Sequence, residues 1–227
     1  MTAGPAFGED LQRRIDLWKG GGALVWCALL GWFALVRGQR VPILGFADVA
    51  THELGHAIWW QLTHSEFVML VMGNGTQVLV PLLAGIAFFL VRRNWVALGM
   101  CLAWCATALA DTAAYVYDAP RGELTLIGFG PIGDQDQMLG DWARILGPEH
   151  LDKLYLADPW ASDLRHLALA VWLCAVAVVA AGLLWTWQRI RNERRAPVRA
   201  WPAEVPVGPR RRTGPTAPGF TFPERPR

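Results

Sequence analysis

Apolar residues in this chain come in long runs, with polar positions gathered between them. The runs cover residues 20–36, 41–62, 67–91, 95–116 and 167–187. About 20 residues at 1.5 Å each match the roughly 30 Å hydrocarbon core of a bilayer, so the pattern predicts membrane-spanning helices. The first run is short for a crossing, and Leu17 and Trp18 extend it. The second is interrupted by Asp48, His52, Glu53 and His56. Four or five crossings follow, depending on whether residues 20–36 cross. Inside the third run, Met72-Gly73-Asn74-Gly75 is turn chemistry. Residues 66–72 alternate in polarity, which predicts a short edge strand and a turn ahead of a helix starting at Thr76. The expected fold class is an all-α polytopic membrane protein carrying that one short strand.

The polar stretches divide the rest of the chain. Residues 1–19 form a mixed N-terminal segment and residues 20–187 a membrane-embedded domain. Residues 118–166 make an acidic extramembrane loop within it, too long for a simple connection and broken by Gly128-Phe129-Gly130-Pro131-Ile132-Gly133. Residues 188–227, dense in Pro and Arg, read as a disordered basic tail. Charge follows the same division: the loop holds nine acids against four Lys and Arg, and the tail ten Arg against three Glu. A near-neutral total of +2 conceals this separation. Arg92-Arg93 and the arginines from Arg189 to Arg195 favour the cytoplasm, which puts the C-terminal tail there and the acidic loop outside. Trp18, Trp59, Trp60, Trp95, Trp185 and Trp187 near run ends suit interfacial belts.

Composition narrows the function classes. With 53% hydrophobic and 18% charged residues and a mean hydropathy of +0.25, neither an ordinary soluble fold nor a wholly disordered chain is indicated. A nucleic-acid binder is disfavoured because the basic run lacks a folded face. Cys27, Cys101, Cys105 and Cys174 all lie in apolar runs and read as buried small hydrophobes, not as a disulfide framework or zinc ribbon.

Chemistry concentrates in Thr51-His52-Glu53-Leu54-Gly55-His56, an H-E-x-x-H pattern. On a helix, His52 and His56 project about 40° apart from one face and can share one metal ion, while Glu53 can reach a water on that ion. Ionisable groups in the middle of an apolar run cost about 2.5 kcal/mol or more each, and a cation offsets that cost. Zn2+ is the expected metal, with Glu53 as general base. Asp48 lies one turn before His52 and could accept its second ring N–H; capping the helix after Gly45 is the other reading.

His-Glu-Leu-Gly-His on an apolar helix resembles the intramembrane zinc metalloproteases of the site-2 protease class, and the following strand-like stretch with Gly73-Asn74-Gly75 is similar to the edge strand and turn of that class. The likeness covers about residues 41–91. It implies His52 and His56 as zinc ligands, Glu53 as the catalytic base and a third ligand from an Asp in a later span, commonly in Leu-Asp-Gly, a tripeptide this chain does not contain. Catalytic zinc usually takes three protein ligands. Asp111, inside the fourth run, ranks first for the third place by membrane depth, then Asp136 beside the Gly-rich passage, then Asp118. The expected function is a membrane-embedded zinc endopeptidase acting on a membrane or membrane-proximal protein. The rival readings are a non-catalytic protein with a structural metal site and a small transporter.

Overall fold

The computed structural model describes residues 5–124 and 140–195, and helix is the regular structure found among them. Six α-helices follow in order: α1 (Pro5–Gly31), α2 (Leu44–Thr63), α3 (Glu66–Arg92), α4 (Trp95–Asp118), the short α5 (Asp141–Leu146) and α6 (Ala157–Arg195). A π-helical turn, Trp32–Val36, closes α1, and a 3-10 turn, Leu154–Leu156, leads into α6. Four stretches are long and apolar enough to cross a membrane: Arg14–Val36, Glu66–Arg92, Trp95–Asp118 and Leu154–Asn192. The fold is therefore an all-α polytopic membrane architecture. The N-terminal run belongs to the four candidate spans, whereas α2, diluted by its ionisable residues, does not.

The strand expected over 66–72 is replaced by the first turns of α3. Ser65 caps this helix by accepting a hydrogen bond from the Val68 N–H, and Glu66 sits favourably in the first turn. Met72-Gly73-Asn74-Gly75 then continues as helix because its small residues are needed against α2 and do not turn the chain. A Cβ built on Gly55 would lie 2.4 Å from the Met72 carbonyl oxygen. Close backbone approach through small residues is a common way to join helices in lipid, where burial of apolar surface gives little drive. The edge-strand part of the family likeness therefore has no counterpart here.

α4 is the central helix, with Ala103, Ala106, Ala108, Ala113 and Val116 at most 1% exposed. Opposite it, α6 presents Ala161, Ala168, Ala175 and Gly182, one small residue every seven positions, a seam repeat that keeps one helix face on its neighbour. A Cβ on Gly99 would meet Val179 at 2.3 Å, and one on Gly182 would meet Trp95 at 2.9 Å. α1 closes the other side through Ala23, Cys27 and Leu30, fixed by the Trp172 indole N–H on the Cys27 carbonyl at 2.8 Å. Cys174, unlike Cys27 and Cys105, faces outward on α6. α6 continues as helix through Arg195, past the expected start of the tail; residues 196–227 lie outside the described residues.

α2 begins deep in the bundle. Val41 and Leu44 pack into the cluster of Ala103, Ala175 and Val179, and the Trp104 indole N–H donates to Asp48 at 2.7 Å. The start of α2 is thus level with the middle of α4, not with its end. Its last residues lead through His64, a left-handed cap at φ 51°, into the start of α3.

Candidate metal centre

His52 and His56 leave one face of α2, their ring centroids 4.6 Å apart and their planes nearly perpendicular. The His56 ring is oriented from behind: Nδ1 lies 2.9 Å from the Met69 carbonyl oxygen. A carbonyl can only accept, so Nδ1 carries the proton and a neutral His56 keeps its lone pair on Nε2. That Nε2 is 2.9 Å from Nε2 of His52. Gly73 of α3 lies directly against the pair, and a Cβ there would sit 2.5 Å from Cε1 and 2.6 Å from Nε2 of His56.

The third member comes from outside the spans. Asp141, the first residue of α5, brings Oδ2 to 3.0 Å from His52 Nε2 and 3.1 Å from His56 Nε2. All three side chains are half-buried. Burial raises the Asp141 carboxyl, but hydrogen bonds to both imidazoles and their charge outweigh it and hold the group down at about 2. It is therefore an anion at any physiological pH.

The donor triangle matches the demands of a tetrahedral ion. Zinc–nitrogen and zinc–oxygen bonds of about 2.0–2.1 Å imply donor atoms roughly 3.3 Å apart, so edges of 2.9–3.1 Å need to open by only a few tenths of an ångström. Two imidazoles and one carboxylate are also a donor set used by catalytic zinc, with the fourth position for water. Glu53, beside His52, is half-buried, lies within electrostatic reach of His56 and has no hydrogen-bond partner among the described residues.

α5 is held in register by specific contacts. The Trp142 indole N–H donates to Asn74 Oδ1 at 2.9 Å, and Asn74 is 3% exposed. Asn74 Nδ2 in turn reaches Gln77 Oε1 at 3.4 Å. Arg144 pairs with Glu66 and Glu149, and Leu146 is buried with Val116, Ala157 and Ala161. Asn74 and Gly73 thus do different work: one anchors α5, the other lets the histidines approach α3.

The acids expected to complete the site stand elsewhere. Asp111 is taken by Arg40 in a two-point contact, Nε to Oδ1 at 2.8 Å and Nη2 to Oδ2 at 3.2 Å, and it also accepts from Gln77 Nε2 at 3.2 Å. Its carboxylate found an organic cation in place of a metal. Asp118 accepts the backbone N–H groups of Glu123 and Leu124, closing the turn after α4. Asp136 lies outside the described residues. Asp48 is 5% exposed and bound to Trp104, so it does not support His52. Asp141 was not singled out by sequence; its only signal is an acid after Gly140 and before Trp142, opening a short apolar stretch that ends at Ile145-Leu146.

No family model matches this chain, and neither does any curated protein or solved structure.

Proposed function

We propose that this is a membrane-embedded zinc metallopeptidase that cleaves a peptide bond in a membrane or membrane-proximal protein. The observation that carries the reading is the convergence of His52 Nε2, His56 Nε2 and Asp141 Oδ2 on one point, beside a Glu53 carboxylate with no other bond to make. His52, His56 and Asp141 would hold the ion. When bound, zinc supplies Lewis acidity and lowers the pKa of a water toward about 7. Glu53 would serve as the general base toward the attacking water and would return the proton to the leaving amine. The likeness of His-Glu-Leu-Gly-His to the site-2 protease class supports the same assignment. The substrate must present an unwound segment, since a helix keeps its carbonyls in its own hydrogen bonds.

The orientation we propose follows from the four spans. With α2 starting and ending without a full crossing, Arg14 and Lys19 at the N-terminal side, Arg92-Arg93 and the end of α6 all fall on one face, the cytoplasm by the positive-inside rule. The acidic residues between α4 and α6, Asp141 among them, fall on the opposite face.

Glu53→Gln tests the reading. The variant should retain metal at the level of the wild type while losing cleavage of a reconstituted membrane substrate by 10²-fold or more, the scale of a lost general base. Retention of full proteolysis removes Glu53 from its role, and failure of the wild type to bind zinc removes the site.

A further inference from the structure

A cavity of about 850 Å³ is bounded by the segment after α1, by α4 and by α6, and it reaches the neighbourhood of the candidate metal centre through Tyr115, since His52, His56 and Asp141 do not line it. Leu35, Val41 and Leu169 give it apolar walls, and Arg40, Asp111 and Tyr115 form a polar corner. Tyr115 connects the two spaces. Its ring is stacked on His52, with centroids 6.4 Å apart and planes 19° from parallel, and it lies within electrostatic reach of Asp141.

The hydrogen-bond count at the Tyr115 hydroxyl is informative. Arg40 Nη2 donates to that oxygen, while the same guanidinium is fixed from its other side by both oxygens of Asp111. Arginine has no acceptor, so the phenolic proton is not used on Arg40. No other partner for it occurs among the described residues. A hydroxyl whose oxygen is pinned by a cation, and whose proton is unspent at the edge of a cavity, is a preorganised hydrogen-bond donor. The adjoining cation also polarises the O–H bond and strengthens what it can donate.

We infer that Tyr115 is a catalytic residue that donates its phenolic hydrogen bond to the oxyanion developing on the substrate carbonyl, with Arg40 and Asp111 as its positioning pair and the 850 Å³ cavity as the binding cleft for an extended apolar peptide segment. This rests on the peptidase reading. Tyr115 itself transfers no proton: as water adds to the carbonyl carbon it gives one proton to Glu53, the carbonyl π pair moves to oxygen, and Tyr115 stabilises that charge by a hydrogen bond. Such a donor acts mainly on the addition state, because the planar carbonyl carries less charge. The placement also gives a role to the long-range ion pair that joins α4 to a non-helical segment 71 residues earlier, since the same Arg40 holds the Tyr115 hydroxyl.

The test compares wild type with Tyr115→Phe, both zinc-loaded and purified full-length in detergent. Zinc content should be the same in the two. A hydrophobic phosphinic peptide, whose tetrahedral anionic phosphinate imitates the addition state, should bind Tyr115→Phe roughly 100-fold more weakly, whereas the matching amide peptide should bind both alike. Where cleavage is measured, kcat should fall with KM unchanged. Equal phosphinate affinities overturn the inference, as does a loss of zinc in Tyr115→Phe, which would make the tyrosine a structural support. Zinc-loaded wild type that does not bind the phosphinate also overturns it. A wild type that takes up no zinc overturns the peptidase reading itself, and is distinguished by metal content alone.

Discussion

Gly73→Ala adds one methyl group on α3, changes no charge and removes no ligand, yet it should empty the metal centre. The new Cβ would stand 2.5 Å from His56 Cε1, 2.6 Å from its Nε2 and 2.9 Å from His52 Cε1. Carbon atoms rest comfortably at about 3.5–4.0 Å, so the His56 ring has to retreat by roughly 1 Å. Retreat breaks its bond to the Met69 carbonyl and removes Nε2 from the donor triangle. Disturbing a ligand's orientation costs about 10- to 100-fold in metal affinity, and here the ligand atom itself moves, so a loss at or beyond the upper end is expected. Stability should change much less: overpacking costs about 1–3 kcal/mol, while alanine is favoured over glycine within a helix by about 1 kcal/mol. Gly75→Ala is the control, since its Cβ meets only the flexible end of Met72. Zinc affinity by chelator competition, read beside thermal melting in detergent, separates the two effects. A folded Gly73→Ala protein that binds zinc within about twofold of wild type would refute the reasoning.

The third ligand and the topology give two further expectations. Asp141→Ala should lower zinc occupancy about as far as His56→Ala, whereas Asp111→Asn should keep zinc and lose about 1–3 kcal/mol of stability through the weakened Arg40 contact; metal content and melting of the two variants side by side decide it. Reporter fusions after Lys19, Arg93 and Arg195 should all report cytoplasm and one after Glu149 the opposite face; any other pattern removes the four-crossing orientation.

How much of this was legible beforehand varied with the range of the interaction. Apolar run length is a local property tied to bilayer thickness, and it located α1, α3, α4 and α6. The histidine pair was also legible, because i and i+4 on one helix suffice to bring two side chains together. Gly73-Asn74-Gly75 misled, since the same small residues that make turns in water make close helix contacts in lipid, and only the partner helix decides between them. The third acid was the least legible. Membrane depth argued correctly that Asp111 needs a cation, but a charge cannot specify whether that cation is a metal or Arg40, 71 residues away. The acidic loop is legible as a segment, but the loop residue that sequence offers for the third place, after Asp111, is Asp136 beside the Gly-rich passage. What brings Asp141 instead is the Trp142–Asn74 hydrogen bond and the buried Leu146, contacts that exist only between distant parts of the chain.

The origin of Asp141 on α5 gives the proposed ion a mechanical meaning as well as a chemical one. His52 and Asp141 are 89 residues apart, with α3 and α4 between them. An ion gripped by both is a cross-link across that whole stretch, comparable in kind to a disulfide but reversible. Cross-links over loops of this length restrict the unfolded chain by an amount worth about 4–5 kcal/mol in water, and by less where helices persist in the bilayer. A chelator would then loosen α5 from the bundle before it disturbed any span, and zinc supply would set how firmly α5 is fastened to the helices it packs against.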